Sequence, residues 1–321
     1  MSVESAPQIA VLGGGPIGLE TALYARYLGY KVDLFERSSR IAANLRRWGH
    51  VRLFSPFFMN ATPLGVAAIA AQDSAWQRPE PDAQLLADEY VERYLAPLAA
   101  TDLLTDSLHA DAQVIGVSRE GWLKREGVGD PRRKEAGFRL LATSAAGGER
   151  EHQADVVIDC TGVFGRHNEA GQGGAPALGE RAAEPHIEYE LPDLLGADRH
   201  RFAGRTTLVI GAGYSAATNV VALAQLAEQA PNTRIVWATR RMPSTPAAGP
   251  LRRIPNDRLP QRDALAATAN SLVAAADPVE HRPGVVLKQI EFRGENDGFA
   301  VTLETPEGEE LREVDRVIDN V

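Results

Sequence analysis

The sequence contains a glycine-rich turn, seen first in IAVLGGGPIGLE (Ile9 to Glu20). Gly13, Gly15 and Gly18 have the spacing Gly-x-Gly-x-x-Gly, with Pro16 inside the turn. In this arrangement the first glycine takes a tight bend, the second lets the backbone approach a pyrophosphate, and the third lets a helix pack on a strand. The phosphate would lie at the N-terminus of that helix. We assign all four residues to a candidate dinucleotide site.

An acidic residue follows at the distance that such a site requires. Glu36 closes the next predicted strand, eighteen residues after Gly18. A carboxylate at this position can accept the hydroxyl hydrogens of an adenosine ribose. We add Glu36 and the adjacent Arg37 to the site. The alternative is a purely structural turn with Glu36 in solvent.

The turn recurs about two hundred residues later, in TLVIGAGYSAATN (Thr207 to Asn219). Its members are Gly211, Gly213 and Ala216, with Ser215 beside them. Alanine is permitted as the third member of the motif. These four residues form a second candidate dinucleotide site.

The strand after the second turn ends in Arg240 and Arg241, where the first unit has an acid. Guanidinium groups pair bidentately with phosphate, so this end suits the additional 2′-phosphate of NADP. Two solvent-facing arginines are the alternative, and Arg252 and Arg253 in a proline-rich stretch are further candidates. Two such different sites suggest bound FAD reduced by NADPH, because hydride transfer needs both rings stacked together.

Each turn needs a strand before it and a helix and a second strand after it. That order surrounds both turns, which predicts two βαβ units. Between them, a helix over Leu86 to Ala100 places Tyr90, Tyr94 and Leu98 on one face, and AQVIGVSRE and GFRLLATS form a meander. HQADVVIDCTG is typical of a buried strand. The glycine-rich segment from Gly165 to Gly179 is typical of a linker or mobile loop.

We therefore predict an α/β protein with two Rossmann-like three-layer dinucleotide-binding domains, the FAD domain carrying an inserted β-meander. Residues 1–200 form the predicted FAD-binding domain, and a C-terminal strand near 313–321 returns to it. Residues 201–312 form the predicted NADP-binding domain.

The composition limits the partners. The chain has 321 residues and a net charge of −9, which argues against a nucleic-acid partner. Its single cysteine, Cys160, excludes an intramolecular disulfide, a Cys-x-x-Cys pair and a Cys-based zinc site, and indicates a reducing compartment. The apolar stretch at residues 9–25 is broken by glycines, and no other segment reaches the length of a membrane span. We expect a cytoplasmic protein with no membrane partner.

The sequence resembles the two-dinucleotide-binding-domain flavoproteins, and within them it is most similar to the flavin-containing monooxygenase (class B) branch. WGHVRLFSPF (Trp48 to Phe57) is similar to a family segment near the flavin ring, so Trp48 is expected to pack along the flavin; a core tryptophan is the alternative. In ADAQVIGV, Val114 corresponds to a residue that contacts adenine through its backbone. DVVIDCTG is similar to the signature Asp-x-x-x-x-Ala-Thr-Gly, with Thr161 and Gly162 at its end.

The resemblance implies an FAD-dependent, NADPH-consuming monooxygenase that oxygenates a small nitrogen, sulfur or carbonyl compound through a flavin C4a-hydroperoxide. O2 would be the co-substrate, and a homodimer is an option for the assembly. Asn60 is the candidate catalytic residue, since its amide could hydrogen-bond near the flavin; an asparagine bonding its own turn before Pro63 is the alternative. An NADPH-dependent flavin reductase or dehydrogenase without oxygen insertion, and a non-catalytic nucleotide-binding sensor, are the other two functions considered.

Three features depart from the family pattern. Ala42 and Ala43 stand where Gly-Gly usually follows the acidic residue, so the backbone there is expected to differ. No Phe-x-Gly-x-x-x-His hydroxylase motif precedes the second turn, where His186 is the nearest candidate. The sequence stops at EVDRVIDNV, where the family continues into a segment that closes over the flavin.

Overall fold

A computed structural model describes residues 6–243 and 249–321. Backbone contacts divide the chain into two compact units, Met1–Phe164 and Gly165–Val321. This boundary differs from the predicted one at residue 200, because the segment after Phe164 packs with the second unit. Residues 244–248 of the predicted proline-rich stretch lie outside the described residues.

The strands of the first unit are β1 Gln8–Leu12, β2 Lys31–Phe35, β3 Leu108–His109, β4 Gln113–Arg119, β5 Phe138–Thr143, β6 Glu149–Ala154 and β7 Val156–Asp159. A parallel sheet has the order β3-β2-β1-β7, and an antiparallel meander has the order β4-β5-β6. The helices of this unit are α1 Pro16–Tyr27, α2 Ala43–Arg47, α3 Phe57–Asn60, α4 Pro63–Gln72, α5 Ala87–Tyr90, α6 Ala96–Ala99 and α7 Pro131–Glu135, with a 3-10 turn at Thr105–Ser107.

The core of the first unit follows from its apolar patterns. Helix α1 buries Leu19, Ala22 and Leu23 completely against the sheet. Between α5 and α6 the chain forms a π-helical segment, Val91–Leu95, so the predicted helix over residues 86–100 is continuous but irregular.

The strands of the second unit are β8 Thr206–Ile210, β9 Arg234–Thr239, β10 Val279–Pro283, β11 Val286–Gly294, β12 Gly298–Thr305, β13 Gly308–Val314 and β14 Arg316–Asp319. They form a parallel sheet in the order β10-β9-β8-β14 and a meander in the order β11-β12-β13. The helices are α8 Glu180–Ala183, α9 Arg199–Phe202, α10 Tyr214–Gln229 and α11 Pro260–Ala275, with 3-10 turns at Gln172–Gly174 and Glu184–His186.

The second unit therefore repeats the plan of the first, including a meander of its own. Strand β14 pairs in parallel with β8, with Asp319 opposite Ile210. It does not return to the first sheet, as was predicted for residues 313–321. The reason is topological: the meander β11–β13 leads the chain back to the edge of β8, as β4–β6 lead it back to β1. The predicted α/β class with two Rossmann-like domains is confirmed. No helix within the described ranges is long and apolar enough to span a membrane.

Candidate functional site

The first glycine turn connects β1 to α1 and is shaped by steric contacts. Gly13 has a φ of +103°, and a Cβ there would lie 2.6 Å from the carbonyl oxygen of Cys160. A Cβ on Gly18 would lie 1.8 Å from the carbonyl oxygen of Gly13. A Cβ on Gly15 would meet no atom of the described residues within 4 Å. Gly13 and Gly18 are thus required by the fold, whereas Gly15 faces open space.

The start of α1 is available to an anion. Pro16 is the first helical residue, Gly15 is the N-cap, and no side chain in the described ranges caps this end. The free N–H groups and the dipole of a helix N-terminus favour phosphate. The turn therefore offers an uncapped helix terminus beside a backbone without a side chain.

Glu36 lies directly after β2 and is fixed against the turn. It is 8% exposed, and its carboxylate accepts hydrogen bonds from the N–H groups of Gly14 and Ser38, each at 2.8 Å. The next residue, Arg37, is exposed. Because β1 and β2 are parallel, Gly13 and Glu36 emerge at the same edge of the sheet, which is where ligands bind in open α/β folds.

The end of β7 reaches the same edge. Asp159 pairs with Leu12 in register, so Thr161 and Gly162 follow beside the first turn. Thr161 donates to the Asp159 carboxylate from its N–H at 2.9 Å and from its hydroxyl at 2.6 Å. Gly162 has a φ of +66°, a conformation that favours glycine. The structure thus brings these two predicted residues together with the first glycine turn.

The second turn has the same geometry. Gly211 has a φ of +126°, and a Cβ there would lie 2.3 Å from the carbonyl oxygen of Asn320, while a Cβ on Gly213 would meet no described atom within 4 Å. Gly213 is the N-cap of α10, Ser215 is exposed in its first turn, and Ala216 is fully buried against the sheet.

A cleft of about 1110 Å³ opens at this second turn. Its lining includes the backbone at Gly211–Gly213 and four arginines from two chain segments. The arginines are Arg240 and Arg241, directly after β9, and Arg252 and Arg253, before α11. The Arg253 guanidinium is paired with Asp263, with Nε to Oδ1 at 2.8 Å. The cleft therefore combines a helix N-terminus with guanidinium groups, an arrangement suited to a ligand with several phosphates.

Two other predicted residues of the first unit, Trp48 and Val114, lie far from the glycine turn along the chain. Trp48 is half-buried directly after α2, and its backbone N–H donates to the Leu45 carbonyl at 3.2 Å. Val114 on β4 pairs with Ala142 and packs against the buried cluster that contains Phe35. Neither residue has a positive φ.

Asn60 uses its side chain within its own turn. Its Oδ1 accepts from the Ser55 hydroxyl at 2.7 Å, and its Nδ2 donates to the carbonyl oxygens of Ser55 and Pro56 at 3.1 and 3.3 Å. Its backbone carbonyl accepts from the hydroxyl of Tyr90 at 2.6 Å. The Asn60 side chain therefore bonds within its own turn, which is the alternative to a catalytic role.

Two residues near these sites, Gly14 and Asn270, were not singled out by the sequence, and Ala42 was noted only as a departure from the family pattern. Gly14 donates to Glu36, and a Cβ on it would lie 3.0 Å from the Glu36 Cβ; the run of three glycines was its only signal. Ala42 donates its N–H to the Gly14 carbonyl at 2.9 Å and has a φ of 55°. Asn270 on α11 lines the second cleft and had no recognisable motif.

Residues 2–50, which contain the first glycine turn and Glu36, match the family model of pyridine nucleotide-disulphide oxidoreductases. No curated protein matches the chain.

Solved structures match almost the whole chain. Bacillithiol disulfide reductase from Bacillus cereus is 17% identical with a TM-score of 0.66, over 98% of this chain and 77% of that one. The FAD-bound cadaverine monooxygenase of desferrioxamine biosynthesis from Erwinia amylovora is 16% identical with a TM-score of 0.66, over 99% and 78%. Ornithine hydroxylase from Pseudomonas aeruginosa is 12% identical with a TM-score of 0.61, over 98% and 82%. The chain therefore has the fold of flavoprotein reductases and monooxygenases built from two dinucleotide-binding domains.

Proposed function

We propose that this chain is an FAD-dependent, NADPH-consuming oxidoreductase, with FAD bound by the first unit and NADPH by the second. One observation carries the proposal: the two units have the same open glycine turn, but Glu36 follows the second strand of one and Arg240 follows the second strand of the other. A carboxylate suits free ribose hydroxyls, and a guanidinium suits a 2′-phosphate.

In the first unit, the N-terminus of α1 would bind the FAD pyrophosphate at Gly15, where no side chain blocks the backbone. Glu36 would accept from the ribose hydroxyls, and the N–H groups of Gly14 and Ser38 hold its carboxylate for this role. Bound FAD would supply the electron transfer and the reaction with dioxygen, which no side chain can provide. Arg37, Trp48, Val114, Thr161 and Gly162 remain predicted contacts of this cofactor.

In the second unit, Gly213, Ser215 and the N-terminus of α10 would bind the pyrophosphate of NADPH. Arg240 and Arg241 would bind its 2′-phosphate, because both are exposed at the cleft and neither has an ion-pair partner within the described ranges. The tight packing at Gly211 and the burial of Ala216 would hold the backbone of the turn in the conformation that binds this ligand.

The cofactor assignment is tested on the purified chain. We expect flavin absorbance, release of FAD on denaturation, and loss of the oxidised flavin spectrum when NADPH is added without oxygen. Glu36→Ala is expected to retain the parental circular dichroism and lose FAD. A colourless protein that does not take up added FAD would contradict the assignment.

We further propose that the reaction is monooxygenation of a small nitrogen, sulfur or carbonyl compound, in which NADPH, a proton, O2 and substrate give NADP⁺, water and the oxygenated product. The class B resemblance supports this, and monooxygenases are among the solved structures with this fold. A dithiol relay cannot form within this chain because Cys160 is its only cysteine. Burial also raises the pKa of the Cys160 thiol, which disfavours the reactive thiolate.

Oxygen insertion is tested by supplying isotopically labelled O2 and measuring label in the product together with hydrogen peroxide. A monooxygenase incorporates the label when substrate is present, and its peroxide release falls. Unlabelled product with undiminished NADPH oxidation would instead establish a reductase or dehydrogenase.

A further inference from the structure

Arg252 lies in the second cleft, outside the glycine-turn motif, in the proline-rich stretch that the sequence offered only as a further candidate. Its neighbour Leu251 is 3% exposed and is held on both sides by Asn270 of α11. The Asn270 Oδ1 accepts from the Leu251 N–H at 3.1 Å, and its Nδ2 donates to the Leu251 carbonyl at 2.9 Å. Gly249, with a φ of +64°, packs against the same Asn270 side chain. The backbone that carries Arg252 is therefore anchored to α11, although it has no regular secondary structure.

The neighbouring residues Arg253 and Arg262 are paired with carboxylates, whereas Arg252 is not. Arg253 pairs with Asp263, and Arg262 donates to both oxygens of Asp257 at 2.8 and 2.6 Å. Arg252 is exposed at the cleft and makes no hydrogen bond or ion pair in the part of the chain that the structure describes. Within the described residues, Arg252, Arg240 and Arg241 form no ion pair with a carboxylate, and Arg240 interacts only at longer range with the buried Asp319.

Guanidinium groups from separate segments repel one another unless an anion lies between them. A phosphate monoester carries close to two negative charges at neutral pH and has three acceptor oxygens, so it can pair with several arginines at once. The pyrophosphate of a dinucleotide does not need these arginines, because the N-terminus of α10 serves it at the other part of the cleft. The unbalanced arginines therefore point to a second phosphate group on the ligand.

We propose that Arg252 is a specificity-determining residue that selects a 2′-phosphorylated adenosine, and that Asn270 is a positioning residue that holds Arg252 at the cleft. Arg252 joins Arg240 and Arg241 around the 2′-phosphate from the side of α11. This inference rests on the proposed assignment of the cleft to NADPH. It adds a selectivity element that lies eleven residues beyond Arg241.

The test uses direct binding of 2′,5′-ADP and 5′-AMP to the purified chain by calorimetry, so it does not depend on turnover. The parent is expected to bind 2′,5′-ADP more tightly than 5′-AMP. Arg252→Ala is expected to weaken 2′,5′-ADP binding about tenfold, as for loss of one charged hydrogen-bonding group, and to leave 5′-AMP binding unchanged. Arg258→Ala is the control, because it removes an equal charge from the same segment at an exposed residue outside the cleft lining.

The outcomes separate the two proposals. A parent chain that does not prefer 2′,5′-ADP contradicts the assignment of the cleft to NADPH. A parent that prefers it, with the preference unchanged in Arg252→Ala, overturns the role of Arg252 alone. Equal weakening of both ligands also overturns that role, because Arg252 would then contact the 5′-phosphate.

Asn270 is tested in a double-mutant cycle with the same two ligands. Asn270→Ala is expected to reduce the preference for 2′,5′-ADP when Arg252 is present and to have no further effect in the Arg252→Ala background. A merely structural role would weaken binding equally in both backgrounds, and that result would remove Asn270 from the proposal.

Discussion

Asp319 ends β14 at the position that Asp159 holds at the end of β7, yet the two carboxyl groups lie in opposite surroundings. Asp159 pairs with Leu12 just before the first glycine turn, and Asp319 pairs with Ile210 just before the second. Asp159 is exposed and accepts two hydrogen bonds from Thr161. Asp319 is 3% exposed, and its Oδ2 has no hydrogen-bond partner within the described residues.

These surroundings move the two pKa values in opposite directions. Burial raises the pKa of Asp319 to about 7, and the charge of Glu180 acts in the same direction. The Val321 amide and Arg240 oppose this rise, and the charge of Glu169 adds a still smaller increase. The hydrogen bonds from Thr161 lower the pKa of Asp159. Burial, with the charge of Asp319 acting in the same direction, also raises the pKa of the buried Tyr189 hydroxyl nearby, so this phenol stays neutral.

The contribution of Asp319 to the stability of the protein should therefore fall as the pH rises from 3.8 to about 7. Between the ordinary carboxyl pKa of 3.8 and about 7, the unfolded chain releases the Asp319 proton while the folded chain keeps it. We expect the Asp319 group to lower the free energy of unfolding by about 2–3 kcal/mol between pH 5 and pH 8. Denaturant titrations of the parent and Asp319→Asn over this range measure the difference in slope.

Asp159→Asn is the matched control, because Asp159 is already ionised in both the folded and the unfolded chain above pH 5. Its slope should equal that of the parent. If Asp319→Asn has the parental slope as well, the Asp319 carboxyl does not titrate in this range and the argument from its burial fails.

The glycines of the first turn should divide into structural and ligand-facing members. Gly13→Ala is expected to lower the free energy of unfolding by at least about 2 kcal/mol, because it combines a left-handed backbone with a contact to the Cys160 carbonyl. The Cβ added by Gly15→Ala would meet no described atom within 4 Å, and Gly15 has a φ of −82°. The stability of this variant should therefore match that of the parent. Its FAD content should nevertheless fall, with affinity reduced about tenfold or more.

The measurements are thermal unfolding of the flavin-free chain and the FAD to protein ratio after purification. Gly211→Ala and Gly213→Ala repeat the comparison in the second unit, where the corresponding contact is with the Asn320 carbonyl. A stable Gly13→Ala variant would show that the turn can relax, against the steric account of the motif.

Much of this arrangement was predictable because it depends on local chemistry. The glycine spacing, Glu36 and the Arg240–Arg241 pair follow from steric and charge requirements that operate within about 30 residues of sequence. The burial of Tyr90 and Tyr94 likewise followed from helical periodicity and was confirmed.

The parts that were not predictable depend on contacts between distant segments. The glycine-rich segment before residue 180 looked like a linker, yet Leu178 bridges to Gln289 and the buried Glu180 accepts from the N–H groups of Ala170 and Ala177. The return of β14 to β8 depends on pairing over about a hundred residues. The burial of Asp319 has no counterpart in its sequence, since Asp159 follows the same Val-Ile dipeptide in β7.

The departure from Gly-Gly after the acidic residue should have little net cost in stability. Ala42 has a φ of 55°, a left-handed conformation that costs alanine about 1 kcal/mol or more relative to glycine, and its methyl group is buried. Ala42→Gly removes the cost of the left-handed backbone but also loses the buried methyl group. We therefore expect the free energy of unfolding to stay within about 1 kcal/mol of the parent. Ala43→Gly, at the first residue of α2, should lose at most about 1 kcal/mol, which is the cost of glycine in a helix interior. Denaturant titration compares the two, and a greater loss for Ala42→Gly would show that its methyl packing outweighs the strain.

The two roles considered for Asn60 make different predictions. Its side chain makes three hydrogen bonds within residues 55–60, so Asn60→Ala should lower the free energy of unfolding by about 1–2 kcal/mol. Ser55→Ala removes the partner of one of these bonds and should reproduce part of that loss, with a smaller further loss when the two changes are combined. If Asn60 acts only through its turn, NADPH oxidation by the folded Asn60→Ala variant should remain close to the parental rate. A large fall in that rate with unchanged stability would instead support the catalytic role that the sequence suggested.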